Sequence, residues 1–316
     1  MTDKPKGRIL LSITGFNPRR WHELLSARRD VVLEPDGPAD PSIEYAVVWK
    51  QRPNLLATLP NLKAIFSIGA GVDHLFADPG LPDVPIVRVV AENLTQYMVE
   101  YVCWRVLDHH RQGALYRAQQ KRKVWHEPPQ APADQVSVGI MGLGQLGGAA
   151  ANALIALGYR VNGWTRTPKT VDGVTTFSGN DGLSDFLAAT DILVVLLPLT
   201  PGTTGIVDYA LLSKLRRDNA IGGAVLINAG RGKLQKDADI VRALDDGMLK
   251  EASLDVFETE PLPRTSAIWT HPKVFVTPHA AATSDPAHLA PPMLDQMDAF
   301  DRGEPLRNLV DRKAGY

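Results

Sequence analysis

Three residues of this chain could do chemistry together. Arg231, Glu260 and His279 each stand just after an apolar run, in Asn228-Ala229-Gly230-Arg231-Gly232, Glu258-Thr259-Glu260-Pro261 and Thr277-Pro278-His279-Ala280. A guanidinium offers fixed donors to a carboxylate or a developing oxyanion. An imidazole exchanges a proton near neutral pH, and a neighbouring carboxylate orients the ring and favours its charged form. Alone, a histidine after a strand is usually structural, and arginine and glutamate usually lie at the surface. Their joint meaning depends on what accompanies them.

A second group carries a different signal. Gly142-Leu143-Gly144-Gln145-Leu146-Gly147 has the spacing G-x-G-x-x-G. Such spacing also arises by chance in structural turns. Here it follows an apolar run over residues 137–143 and opens a Gly/Ala-rich helical stretch, as dinucleotide binding requires. Gly142 allows the tight turn, Gly144 the approach of a pyrophosphate and Gly147 close packing of helix on strand, while the helix N-terminus offers free N–H groups. The next strand ends in Gly163-Trp164-Thr165-Arg166-Thr167-Pro168-Lys169. NAD sites usually place an acidic residue there for the ribose hydroxyls. Thr165, Arg166 and Lys169 suit a 2′-phosphate instead, so the cofactor expected is NADP, with NADPH preferred over NADH. The plainer alternative is a solvated basic turn.

Elements must bring these groups to one edge. Short β-branched runs alternate with helical patterns along most of the chain, the signature of parallel sheets with crossover helices. Strands are expected over residues 8–13, 31–34, 45–49, 62–68 and 86–90, with a helix over 20–29 and a long helix from Asn93 to about Arg117. A loop over 125–135 holds three prolines and marks a border. Six further strands follow, over 137–143, 160–165, 191–197, 224–229, 252–257 and 274–279. Helical stretches at 145–157, 183–189, 209–215 and 238–246 separate most of them, the element order of a six-stranded Rossmann domain. The fold class expected is therefore α/β, with two doubly wound parallel-sheet domains: a flavodoxin-like substrate domain and a Rossmann cofactor domain, with a cleft between them. The boundaries expected are 1–95 with 285–316, and 96–284. Pro291-Pro292 should break or delay the C-terminal helix, since proline costs about 3 kcal/mol in a helix interior.

Bulk properties narrow the partners. With 34 basic and 35 acidic residues the net charge is −1, which gives no global pull toward nucleic acid or anionic lipid. A single cysteine, Cys103, excludes an intrachain disulfide and reads as a buried structural thiol. No Cys/His cluster suggests a metal site. The N-terminal apolar run is shorter than a secretory signal needs, and no stretch is long enough to span a bilayer, so the expected location is cytoplasmic, away from membranes. His109 and His110 read as surface or interface residues.

These blocks together resemble the D-isomer-specific 2-hydroxyacid dehydrogenases. The order Arg, Glu, His matches, as do the intervals from 231 to 260 (29 residues) and from 260 to 279 (19 residues), and so does Leu196-Leu197-Pro198-Leu199-Thr200-Pro201-Gly202-Thr203. Within the family the chain is most similar to the glyoxylate/hydroxypyruvate reductase A group, through Ala46-Val47-Val48-Trp49, Ser67-Ile68-Gly69-Ala70-Gly71-Val72-Asp73, Trp164-Thr165-Arg166 and the ending Asp311-Arg312-Lys313-Ala314-Gly315-Tyr316. The resemblance implies reduction of a small 2-keto acid, glyoxylate or hydroxypyruvate, to a D-2-hydroxy acid. Arg231 then bridges the substrate carboxylate and carbonyl oxygen, His279 is the general acid, and Glu260, directly before Pro261, is its partner in preference to Glu258. Cofactor contacts extend to Gln145, Leu146, Leu197, Pro198, Thr203, Ala229, Gly230 and Asp255, the last toward the nicotinamide amide. Trp49 and the backbone of Gly69, Ala70, Gly71 and Val72 would meet the substrate. Lys50 either adds a carboxylate contact or points to water. Relatives form a two-fold dimer, so a homodimer is expected, with Trp125 near the partner's site. Two alternatives remain: a reductase of a bulkier 2-keto acid such as phenylpyruvate, and a cofactor-sensing protein like the corepressors built on this fold. A serine-biosynthetic phosphoglycerate dehydrogenase fits less well, because the basic turn argues against NAD.

Overall fold

The structure is a computed structural model that describes residues 7–34, 40–88 and 90–316. Residues 1–6, part of the leader reading, and residue 89 of the strand expected over 86–90 lie outside the described residues. The chain divides into two compact units, residues 1–94 with 284–316, and residues 95–283.

The first unit contains β1 (Arg8–Ile13), α1 (Arg19–Ser26), β2 (Val31–Leu33), β3 (Ile43–Trp49), β4 (Ala64–Ser67), α2 (Asp73–Phe76) and β5 (Ile86–Val87). Its five strands are parallel in the order β2-β1-β3-β4-β5, the flavodoxin-like winding. In this winding the order reverses between β1 and β3, and ligands bind outside the carboxyl ends there. Trp49 closes β3 at that edge.

The helix α3 (Glu92–His110) leads into the second unit, followed by α4 (Gly113–Arg122). Sequence periodicity suggested one helix here. The break falls at Gln112, whose φ of 57° is left-handed, with Gly113 opening the next helix. His109 and His110 are buried, not superficial. His109 reaches Glu251 through Nδ1 and Ser253 through Nε2 (2.5 and 2.7 Å), and His110 reaches the Tyr159 hydroxyl and the Ala131 carbonyl. Two buried imidazoles are tolerated because each ring nitrogen has a partner.

The second unit continues with β6 (Ser137–Met141), α5 (Gln145–Ala156), β7 (Arg160–Thr165), β8 (Val174–Ser178), α6 (Asp181–Ala188), β9 (Ile192–Val195), α7 (Tyr209–Leu212), β10 (Val225–Asn228), α8 (Asp237–Asp245), β11 (Glu251–Leu254) and β12 (Val274–Val276). Seven parallel strands run β12-β11-β10-β9-β6-β7-β8, so the sheet has one strand more than the six expected. The addition is β8, an edge strand paired only with β7. Its sequence, Val-Thr-Thr-Phe-Ser, is half-buried and lacks the apolar run that marks central strands. Those central strands face two cores. Ile192 and Val194 pack with Val138 and Ile140 on one side, while Leu193 and Val195 pack with Met141 and Leu226 on the other. Burial on both faces explains the unbroken apolar run of β9.

The chain then returns to the first unit as α9 (Pro286–Asp301). Contrary to expectation, this helix runs through Pro291 and Pro292 without a break. Both prolines are exposed, and so are Ala287 and His288, whose carbonyls lose their helical donors and remain open to water. The opposite face holds the helix in place. Leu289, Ala290, Met293, Leu294 and Met297 are buried, and Arg29, itself buried, donates to Asp298 and Asp301 at 2.6 Å each. Asp285 caps the start by accepting from the Ala287 amide.

Candidate active site

All the candidate groups of the second unit follow carboxyl ends of parallel strands: the Gly-rich turn after β6, Thr165 closing β7, Leu197 to Thr203 after β9, Arg231 after β10, Glu260 after β11 and His279 after β12. Parallel strands put these ends on one edge of the sheet, where doubly wound folds take ligands.

His279 and Glu260 meet directly. The imidazole Nδ1 lies 2.9 Å from Glu260 Oε2 and 3.1 Å from Oε1, and both side chains keep partial exposure. Glu258 instead accepts from the Asp237 amide at 2.8 Å. His279 holds φ at 54°, a left-handed conformation that side chains other than glycine rarely adopt and that clusters at functional sites. Asp255, buried at the end of β11, braces this turn. Its carboxylate accepts from Thr277 Oγ1 (2.6 Å) and from the amides of Ala280 and Ala281, and its carbonyl accepts from the His279 amide at 2.7 Å. The Tyr101 hydroxyl in turn lies 2.9 Å from Thr277 Oγ1, and burial pushes the Tyr101 phenol up to about 12.

Arg231 sits in an extended turn between two glycines. Its Nη1 donates to the Gly230 carbonyl at 2.9 Å. A Cβ on Gly232 would lie 1.8 Å from the Phe257 carbonyl oxygen, so only glycine lets this turn pack against the strand exit that leads to Glu260. The Phe257 amide donates to Glu260 Oε1 at 3.3 Å, which ties the carboxylate back to its own segment.

The Gly-rich turn has the form a pyrophosphate needs. Gly142 has φ of 101°, and a Cβ on Gly147 would stand 1.9 Å from the Gly142 carbonyl oxygen. A Cβ on Gly144 would meet nothing within 4 Å, so open space remains above the turn at the N-terminus of α5. Lys169 Nζ donates to the Leu143 carbonyl of that turn at 2.5 Å, and Thr165 Oγ1 donates to the Thr167 carbonyl. The Lys169 ammonium is thus folded back toward the glycines.

Residues 103–281 match the family described as D-isomer specific 2-hydroxyacid dehydrogenase, NAD binding domain. The chain belongs to the D-isomer-specific 2-hydroxyacid dehydrogenases. A glyoxylate/hydroxypyruvate reductase A of Yersinia enterocolitica is 38% identical to this dehydrogenase over 279 residues, 86% of this chain and 88% of that one. An NADPH-dependent glyoxylate/hydroxypyruvate reductase from Sinorhizobium meliloti, crystallised with NADP and sulfate, is 45% identical, with a TM-score of 0.93 over 98% of this chain and 100% of that one. A probable 2-hydroxyacid dehydrogenase from Rhizobium etli, in complex with NADP, HEPES and L(+)-tartaric acid, is 46% identical, with a TM-score of 0.90 and the same coverage.

In the first unit of this dehydrogenase, the candidate substrate residues gather around Trp49. A Cβ on Gly69 would stand 2.1 Å from the indole, so glycine is required for the loop Gly69-Ala70-Gly71-Val72 to cross it. His74 packs on the same ring at 4.7 Å between centroids, and Phe16, largely exposed, lies at 6.4 Å. The Lys50 ammonium stands 5.9 Å from the Trp49 ring centroid. Trp125 is fully exposed. Sequence reasoning missed Phe16 and the bracing roles of Asp255 and Thr277. The partners of Asp255 lie 22 to 26 residues away, and no local pattern announces them.

Proposed function

We propose that this dehydrogenase is an NADPH-dependent reductase of a small 2-keto acid, glyoxylate or hydroxypyruvate, and that its product is the D-2-hydroxy acid. The observation that carries the reading is the pairing of His279 Nδ1 with the Glu260 carboxylate at 2.9 and 3.1 Å, on the strand edge that also bears the Arg231 turn. Bound NADPH supplies a hydride from C4 of its nicotinamide to the carbonyl carbon. Arg231 holds the substrate carboxylate and stabilises the charge growing on the carbonyl oxygen. His279 delivers a proton to that oxygen from Nε2, because Nδ1 is committed to Glu260. Glu260 stabilises the imidazolium before transfer and fixes the ring.

Gly142, Gly144, Gln145, Leu146 and Gly147 are assigned to the pyrophosphate. The 2′-phosphate falls to Thr165, Arg166 and Lys169. Leu197, Pro198, Thr203, Ala229, Gly230 and Asp255 are assigned to the nicotinamide half. Trp49 and the Gly69–Val72 backbone are assigned to the substrate, which makes residues 1–95 with 285–316 the substrate-binding domain and 96–284 the NADP-binding domain. The enzyme is read as cytoplasmic; among the described residues no helix is long and apolar enough to cross a membrane. We read the assembly as a homodimer through α3, α4 and the stretch to Trp125, where Tyr97, Trp104, Leu107, Tyr116 and Trp125 are exposed.

The test is NADPH consumption with a panel of 2-keto acids. Glyoxylate and hydroxypyruvate should be turned over, with NADH a poorer donor. A specific observation favours one second reading: Phe16 beside Trp49 offers aromatic surface that would suit phenylpyruvate. Preference for phenylpyruvate would establish that alternative. Tight NADPH binding with no 2-keto acid consumed would replace the enzyme by a cofactor-sensing protein.

A further inference from the structure

Two buried side-chain amides, Asn228 and Gln235, lie under the Arg231 turn. Asn228 Oδ1 accepts from the Gly230 amide at 3.0 Å. Its Nδ2 donates to the Arg231 carbonyl at 3.2 Å and to Gln235 Oε1 at 2.7 Å. Gln235 Nε2 donates to Asp237 Oδ1 at 2.8 Å and to the Val256 carbonyl at 3.0 Å. This chain of bonds has one direction. Gln235 faces two acceptors with its amino group, so its carbonyl must face Asn228. Asn228 must then turn its amino group to Gln235 and the Arg231 carbonyl, and its oxygen to the Gly230 amide. Flipping either amide would set donor against donor in a site closed to water.

The far end of the chain is the segment that leads to Glu260. Val256 lies on it, and Glu258 on it accepts from the Asp237 amide. Burial, with the Glu258 charge adding, holds the Asp237 carboxyl above its ordinary range. Gly232 packs against Phe257 of the same segment.

We infer that Gln235, acting through Asn228, is a positioning residue for Arg231: it sets the register between the Arg231 turn and the Glu260 segment, and so where the guanidinium meets the substrate carboxylate. The inference rests on the reading of Arg231 as the substrate-binding group. A displacement of about 1 Å at a reacting group costs roughly a hundredfold in rate, and the Arg231 turn is tethered by backbone bonds to Asn228, which the Gln235 amide orients.

The experiment is a double-mutant cycle on kcat/KM for glyoxylate, with NADPH affinity measured by fluorescence. Gln235→Met keeps the volume and removes every side-chain hydrogen bond of residue 235. In the wild-type background it should lower kcat/KM by roughly ten- to a hundredfold and leave NADPH affinity within about twofold. In an Arg231→Lys background, already impaired, the same change should cost less than about threefold, because residues that act as a unit are not additive. An equal loss in both backgrounds, or a parallel loss of NADPH affinity, would overturn the inference and leave Gln235 a general scaffold residue. Should Gln235→Met fail to fold, Gln235→Glu enters the same cycle with the same criteria, since it keeps an oxygen toward Asn228 and replaces the donor toward Asp237 and Val256 by a carboxyl oxygen. Arg231→Lys as active as wild type would sink the Arg231 reading itself, whereas additivity beside a damaged Arg231→Lys sinks the inference alone.

Discussion

His279 carries its ring in a backbone conformation that costs energy, and Asp255, Thr277 and Glu260 hold it there. Removing the ring tests the assigned proton donor. His279→Ala should lower kcat by roughly a hundred- to ten-thousandfold, the range for a lost general acid, while NADPH binding persists; an unchanged rate would exclude the role. Glu260→Gln is the finer probe. An amide can turn its amino group to Nδ1, which then cannot carry the second proton that a charged ring needs, so kcat should fall about a hundredfold with the melting temperature nearly unchanged. At the other end of the cofactor, Arg166→Ala should weaken NADPH about ten- to a hundredfold, since charge-assisted bonds contribute roughly 1.5–3 kcal/mol. NADH should barely respond, and equal losses for both cofactors would refute a 2′-phosphate role. The types and spacings of Arg231, Glu260, His279 and the three glycines were legible in the sequence because chemistry constrains them locally. The partners of Asp255 were not, because parallel strands join residues that the chain keeps far apart.

The helix α9 shows how an element can defy propensity. Two prolines remove two backbone donors, yet they sit on the exposed face where water serves the freed carbonyls, while apolar residues and ion pairs secure the other face. Asp301 anchors its end. Burial alone would raise this carboxyl, but bonds from Tyr45 and Arg29 outweigh it and hold Asp301 below the ordinary carboxylate range. A carboxylate depressed in the folded state contributes stability above its unfolded value of about 3.9 and loses it as pH falls through the folded value. Asp301→Asn should therefore lower the melting temperature at neutral pH, and its deficit against wild type should shrink in acid. A deficit that does not change with pH would mean that Asp301 acts by packing alone. Element boundaries were legible where periodicity was strong, as at β1 and β7, whose spans match the expected ones. Missed were β8, whose edge position asks for little apolar character, and the division between α3 and α4, which depends on one left-handed residue.

For the whole molecule, the winding of each sheet followed from alternation of strands and helices, since parallel strands need crossovers and crossovers run right-handed. The homodimer is a separate matter. Light scattering at micromolar concentration should give twice the monomer mass; a monomer would refute it and leave the aromatic surface of α3 and α4 without a role. The return of the chain to its first unit has a different consequence, in time and not in space. Arg28 and Arg29 on one side, and Asp295, Asp298 and Asp301 on the other, pair across 267 to 272 residues. A ribosome adding roughly 5–20 residues per second delivers α9 about 15–50 s after the stretch it must clasp. Throughout that interval α1 and the turn after it, which bears these arginines, wait without their partner helix, open to chaperones and to other nascent chains. Residues 95–283 are meanwhile made in one uninterrupted run, so of the two units the one begun earlier is the one completed later.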